Sequence, residues 1–288
     1  MEKLLAIDAS ALLYRFFHAL PPLTTPEGEP IQAIYGLTNV LLKISMYEGP
    51  KYIAAALDRP EPTFRKENFE NYKSHRPKAS NDLINQIKRM PDVFSLFGIK
   101  TLSAKGFEAD DVLGTLAEKF KKTPELNIVI FTGDLDALQL IEKDKVTCRI
   151  IKTGVSEADI YDEKRVFERF GIYPKNLRDY KALTGDSSDN IPGIPGIGQK
   201  TAAELIKDFE NIEGIYENLV IINSKVAKKL ENKEKDALLY RDLVTIRRDV
   251  KEVEEIKLEE LKTPPLDKEN LKKYCEDMGF ESLIKKLK

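Results

Sequence analysis

Lys3-Leu-Leu-Ala-Ile-Asp8, a short apolar run closed by an acid, reads as a buried strand. The same pattern returns in Tyr52-Ile-Ala-Ala-Ala-Leu-Asp58, and in Asn127-Ile-Val-Ile-Phe-Thr132, which is followed at once by Gly133 and Asp134. After the first run, Leu37, Val40, Leu41 and Ile44 recur at helical spacing. Between the second and third runs the pattern predicts helices over about 82–97 and from Glu108 to Lys121. Strands alternating with helices give an α/β fold with a mostly parallel central sheet flanked by helices. Ligands of such sheets lie in the crevice at the carboxyl ends of the strands, where Asp8, Asp58 and Asp134 fall.

With 288 residues the chain is long enough for about two domains of ordinary size. Its 42% hydrophobic content and mean hydropathy of −0.37 fit a globular protein and exclude a disordered one. No apolar run reaches membrane-spanning length, and the N-terminus has neither the basic flank nor the cleavage site of a secretory signal. Two cysteines without ligand spacing and two histidines argue against a zinc site or a disulfide framework. A cytoplasmic setting is expected, with no membrane contact; no feature identifies a protein partner.

Three acidic motifs stand out. Phe107-Glu-Ala-Asp-Asp111 puts Glu108 and Asp111 three apart with Asp110 adjacent; Thr132-Gly-Asp-Leu-Asp136 adds Asp134 and Asp136; Thr184-Gly-Asp-Ser-Ser-Asp-Asn190 adds Asp186 and Asp189. Helix capping accounts for one acid in each motif but not for so many at strand ends. Carboxylates held together raise one another's pKa unless a cation lies between them. Oxygen ligands without His or Cys select Mg²⁺, with Mn²⁺ as a substitute, and so many acids point to two or more ions. A pair of hard cations is the apparatus for in-line displacement at phosphorus. Net charge is −2, but setting these seven acids aside with Asp8 and Asp58 leaves 39 against 46 bases, so a basic surface can exist elsewhere.

Residues 59–90 carry eight bases against four acids, with Phe64, Phe69 and Tyr72 interleaved. Prolines 60, 62 and 77 predict a segment that protrudes from the core, and Tyr72-Lys73-Ser-His-Arg76 is expected on a helix with Lys73 and Arg76 on one side. Cations there would neutralise phosphate while aromatics stack on bases. Gly193-Ile-Pro-Gly-Ile-Gly-Gln-Lys-Thr201 is a glycine-rich turn leading into a helix, a form able to hold a phosphate without reading sequence. From about residue 178 onward helical signals dominate.

LLAIDASALLYRFFHAL, FEADDVLGTLA, FTGDLDALQL and YKALTGDSSDNIPGIPGIGQKTA together resemble the 5′→3′ exonuclease domain of bacterial DNA polymerase I, of the structure-specific 5′ nuclease or flap endonuclease superfamily. The resemblance runs the length of the chain. It implies that Asp8, Asp58, Glu108, Asp110, Asp111, Asp134, Asp136, Asp186 and Asp189 are the metal carboxylates. It further implies that Tyr72, Lys73 and Arg76 lie on a helical arch, about 60–90, that positions the scissile phosphate, with Arg15 and Arg65 as further DNA contacts. Gly193, Gly196, Gly198, Lys200 and Thr201 would belong to a helix–three-turn–helix holding the duplex, with a K⁺ ion on its carbonyls. Two residues depart from the family pattern: Gly133 stands where alanine is usual, and Pro91 interrupts an expected helix. The chain ends where a polymerase would begin, so it resembles a free-standing nuclease as much as an excised domain.

The expected organisation is a nuclease core over 1–177 and a helical DNA-binding region over 178–288. The expected activity is metal-dependent hydrolysis of DNA at 5′ ends, flaps and nicks, leaving a 5′ phosphate and a 3′ hydroxyl. Two other readings share parts of the sequence: a PIN-like ribonuclease with the same acidic core, and a non-catalytic DNA-junction binder, which would have no use for nine acids.

Overall fold

The computed structural model describes residues 1–153 and 157–287. Its first part comprises β1 (Glu2–Asp8), α1 (Ala9–Ala19), α2 (Gln32–Lys43), β2 (Tyr52–Ala56), α3 (Phe64–Asn68), α4 (Asn81–Leu96), β3 (Lys100–Leu102), α5 (Ala109–Phe120), β4 (Leu126–Thr132), β5 (Val146–Thr153) and β6 (Glu157–Tyr161). Helices follow: α6 (Glu163–Phe170), α7 (Leu177–Thr184), α8 (Gln199–Phe209), α9 (Ile212–Glu217), α10 (Ser224–Leu230), α11 (Glu234–Val244), α12 (Lys251–Glu254), α13 (Lys268–Asp277) and α14 (Glu281–Leu287).

Among the described residues the strands form one sheet in the order β3-β2-β1-β4-β5-β6, parallel except for β6. The order reverses between β1 and β4, which places the ligand crevice at the carboxyl ends of these two strands. Asp8 pairs in register with Ala56 of β2, and Ile7 with Phe131 of β4, so Asp8, Asp58 and Asp134 reach the same edge of the sheet.

Alternation along β1 feeds two cores. Leu4 and Ala6 join Val112, Leu113 and Leu116 of α5 on one face. Leu5 and Ile7 join Leu12, Leu13 and Phe16 of α1 and Ile34, Leu37 and Leu41 of α2 on the other. Each Leu, Ile, Val or Phe side chain among them contributes about 1.5–3 kcal/mol when fully buried. The chain turns from β1 into α1 at Asp8, whose Oδ1 accepts the Ala11 N–H at 2.9 Å, an N-cap worth about 1 kcal/mol. The N-terminus of α2 has no cap of its own; buried Gln86 of α4 supplies one, its Oε1 accepting the Ala33 N–H at 2.8 Å.

Pro91 does not end α4, which continues to Leu96. The helices after residue 178 are not all remote from the sheet. Leu271 and Cys275 of α13 and Leu283 of α14 pack into the core beneath α1 and α2. Among the described residues no helix is long and apolar enough to cross a membrane.

Candidate metal centre and nucleic-acid interface

The acids are set by hydrogen bonds between strand ends and helix starts. While Asp8 Oδ1 caps α1, its Oδ2 accepts the hydroxyl of buried Thr132 at 2.7 Å. Thr132 Oγ1 in turn accepts the Asp134 N–H at 3.0 Å, and Asp134 Oδ1 accepts the Asp136 N–H at 2.9 Å. Asp58 reaches across to α5, where its Oδ1 accepts the Ala109 N–H at 2.8 Å. Glu108 caps α5 and Asp110 lies in its first turn, positions favoured by the helix dipole.

Crowding and burial disfavour ionisation of these carboxylates. Burial, then the charge of Asp58, pushes Asp8 up to about 7. Burial, then the charge of Asp134, does the same to Asp136. Asp110 is raised well above its ordinary value by burial and then by Asp8, Asp134 and Asp136. Its Oδ1 is buried without a hydrogen-bond partner, a condition that costs about 1–3 kcal/mol.

Cations of the chain answer part of this charge. Lys181 of α7 bridges Asp136 and Asp186, 2.7 Å from Asp186 Oδ2. Burial pushes Asp186 up, but Lys181 outweighs it and holds the carboxyl at about 2. Lys73 Nζ is 2.7 Å from Glu108 Oε1. Tyr72 OH donates toward Glu108 Oε2 at 3.0 Å and Asp189 Oδ2 at 2.8 Å, and Arg76 Nη2 is 2.7 Å from Asp189 Oδ1. A cleft of about 740 Å³ opens over the acids, lined by Asp8, Arg15, Lys73, Arg76, Asp110 and Asp134, with Leu83, Ile87 and Met90 of α4 as an apolar wall.

Among the described residues no three Asp, Glu, His or Cys side chains are drawn together tightly enough to enclose an ion, and several acids engage lysines instead. The donor set is nonetheless all oxygen, and the unpartnered Asp110 Oδ1 is an oxygen that a hard cation would satisfy. The residues present fit a divalent ion of that kind.

Several expectations are corrected. Asp111 is grouped with the metal ligands by resemblance, but it is fully buried and turned away from the cleft. Its oxygens accept Arg65 Nη1 at 2.6 Å, Arg65 Nη2 at 2.8 Å, the Glu108 N–H at 3.0 Å and the Arg247 N–H at 2.8 Å. Arg65 is thereby removed from any DNA surface, being 2% exposed and donating also to Leu243 O and Thr245 O. Tyr72–Arg76 form turns, not a helix. The aromatics of this segment are not free to stack on bases: Tyr72 is buried, Phe69 packs edge-on to Tyr240, and Phe64 packs on Phe107. Lys73 itself adopts φ +51°, a left-handed conformation uncommon outside glycine, which its N–H stabilises by donating to Asp189 O at 2.9 Å.

The glycine turn divides by role. Gly193 is buried with φ +69°, and a Cβ there would lie 2.3 Å from Gly185 N. It serves the close approach of the turn to the end of α7, where Ile194 N–H donates to Leu183 O, and so fixes the Asp186–Asp189 loop rather than touching solvent. Gly196, Gly198 and Lys200 are exposed, Thr201 is partly so, and Gly198 is the N-cap of α8 with no side-chain cap bond. Gly133 leaves ordinary room for a methyl, 3.5 Å from Arg15 Cδ, so alanine would fit. Lys181 and Thr132 were not singled out from sequence. Thr132 opens one of the acidic motifs and Lys181 lies on α7 five residues before Asp186, and that proximity was the available signal.

Two family models match the chain: the 5′-3′ exonuclease N-terminal resolvase-like domain over residues 3–171, and the 5′-3′ exonuclease C-terminal SAM fold over residues 172–269. The chain is 35% identical over 291 residues to a 5′-3′ exonuclease of Aquifex aeolicus, covering all of this chain and 96% of that one. It is 41% identical over 287 residues to DNA polymerase I of Caldicellulosiruptor bescii, covering 99% of this chain and 33% of the polymerase. The chain thus spans about a third of the length of that relative. A bacteriophage T5 flap endonuclease, solved as a pseudo-enzyme–product complex with DNA and metal ions, has the same fold, with TM-score 0.71 at 20% identity over 96% of this chain and 100% of that one. The catalytic core of Rad2 with DNA substrate gives 0.64 at 19% identity, over 96% and 88%. With family models over most of its length and a relative matched nearly end to end, the chain belongs to the 5′-3′ exonuclease family and is a nuclease of the hydrolase class.

Proposed function

We propose that this nuclease hydrolyses DNA at 5′ ends, flaps and nicks, with Mg²⁺ or Mn²⁺, in replication and repair. The observation that carries this reading is the convergence of carboxylates on the switch point of the sheet, with Asp110 Oδ1 buried and unpartnered. Asp8, Asp58, Glu108, Asp110, Asp134, Asp136, Asp186 and Asp189 would hold the ions between them. When bound, such ions supply an ionised water as nucleophile and offset charge on the leaving 3′ oxygen.

The chain's own residues prepare the rest. Lys73 and Arg76 stand at the cleft wall, where their charges can meet the non-bridging oxygens of a phosphate once they exchange a carboxylate for it. Lys181 ties Asp136 to Asp186 and holds Asp186 ionised. Arg65 and Asp111 lock α3 onto α5 and so fix Glu108 and Asp110 on the first turn. The exposed start of α8, with Gly198, Lys200 and Thr201, offers N–H groups and a cation to duplex phosphates.

The test compares a labelled DNA 5′ flap with a 3′ flap and a single-stranded RNA under Mg²⁺. Cleavage near the junction of the 5′ flap, at least tenfold faster than of the other two, is expected. Preferential cutting of RNA would favour the PIN-like reading instead.

A further inference from the structure

The outer turn of the glycine hairpin carries a cation of the chain's own. Lys229 of α10 reaches 33 residues back along the sequence and donates from Nζ to Gly196 O at 2.9 Å. Its stem lies on the glycine: a Cβ at Gly196 would stand 3.1 Å from both Lys229 Cδ and Cε. Gly196 also has φ +83°. Glycine suits the left-handed backbone there, and a Cβ would crowd the lysine stem. Of the neighbouring carbonyls, Ile194 O accepts the Ile197 N–H and Gly198 O the Ala202 N–H.

The resemblance implies a K⁺ ion on these carbonyls. The residues present do not fit an ion at Gly196 O, because an ammonium already holds that oxygen and two cations on one carbonyl repel. We infer that Lys229 is the hairpin's built-in cation: its ammonium stands on Gly196 where a monovalent ion would otherwise bind, and adds a charge to the duplex-facing start of α8. One of its three N–H donors meets the carbonyl, leaving two for phosphate oxygens. Exposed Lys200 lies on the same hairpin-to-helix segment, and Lys228 on the same helix as Lys229. The inference rests on residues 193–201 gripping duplex DNA.

The experiment measures affinity for a 5′-flap duplex by fluorescence anisotropy in EDTA, in KCl, NaCl and LiCl at equal ionic strength. Wild type, Lys229→Met, Lys229→Arg and Lys228→Met are compared. Wild type and Lys229→Arg should bind equally in all three salts. Lys229→Met should lose about tenfold in NaCl and LiCl and regain most of it in KCl, whereas Lys228→Met should weaken alike in all three. In NaCl, Lys229→Met should also lower the slope of log affinity against log salt by about 0.9, the value for one phosphate contact. A wild type that itself requires KCl, or a Lys229→Met protein indifferent to the ion, overturns the inference while leaving the hairpin as the grip. Wild type that binds no flap in any salt overturns the grip reading, and the inference with it.

Discussion

Arg65 holds Asp111 at two points inside the protein, with Nη1 2.6 Å from Oδ2 and Nη2 2.8 Å from Oδ1, and neither residue is more than 2% exposed. Asp110, next in sequence, points into the acidic cleft instead. Successive residues of a helix do not share a face, so one EADD motif serves two purposes. Removing one partner of a buried pair costs about 3–5 kcal/mol. Asp111→Ala should therefore lower the melting temperature sharply in EDTA, whereas Asp110→Asn should leave it unchanged or raised. Addition of Mg²⁺ should stabilise wild type and Asp111→Ala, where folded, alike, and Asp110→Asn much less. Calorimetry with and without Mg²⁺ reads both; the reverse pattern would return Asp111 to the metal ligands.

Asp8 and Asp136 keep their protons up to about 7, against an ordinary 3.8. The folded chain therefore binds more protons than the unfolded chain between about pH 4 and pH 7, and stability falls as pH rises through that window. Asp186, held at about 2, acts in the opposite sense, but its contribution is complete above about pH 4 and leaves this slope alone. In EDTA the melting temperature should fall from about pH 5 to about pH 7.5, and Asp136→Asn should flatten the fall. A profile identical in the two proteins would show that Asp136 does not titrate there.

Lys73 is strained and charged at once, with φ +51° and Nζ on Glu108. Lys73→Gly relieves the backbone and removes the ammonium, while Lys73→Met removes the ammonium alone. Both should lower turnover about 10²-fold, the scale of one transition-state donor, with little change in flap affinity. Full activity in Lys73→Gly would reduce the residue to a backbone role.

Gly193 and Gly185 touch back to back, and the Asp186–Asp189 loop depends on that contact. Gly193→Ala should cost about 2 kcal/mol or more, from the clash and the left-handed backbone, and should weaken Mg²⁺ binding with it. Gly133→Ala, whose methyl has room beside Arg15, should be within about 0.5 kcal/mol of wild type. Urea unfolding of the two variants would contradict this account if the costs were equal.

Strands β1, β2 and β4 were legible because burial on both faces of a parallel strand leaves an unbroken apolar run, each closed or followed within two residues by an acid; β3, β5 and β6 carried no such run and were not read from the sequence. The strand order that brings Asp8 beside Asp134 was not legible, since pairing is a property of the whole chain. The EADD motif showed that acids clustered but not which way each faced, because the partner that decides it, Arg65, lies 46 residues upstream. The aromatics at 64–72 were misread as exposed for a similar reason: Phe69 is covered by Tyr240, and Tyr72 clusters with Leu243 and Val244, which follow far along the chain. Lys181 stands five residues before Asp186 in the sequence, and only the fold shows that it bridges Asp136 and Asp186.

On the proposed reading the clustered carboxylates hold the divalent ions of this nuclease, with Asp110 at their middle. The most direct measurement incubates a 5′-labelled DNA flap with wild type and with Asp110→Asn, under Mg²⁺ and under EDTA. Cleavage near the junction by wild type in Mg²⁺ is expected, abolished by EDTA and reduced at least 10²-fold by the substitution, with flap binding retained. Cleavage that persists in EDTA or in Asp110→Asn would contradict that reading.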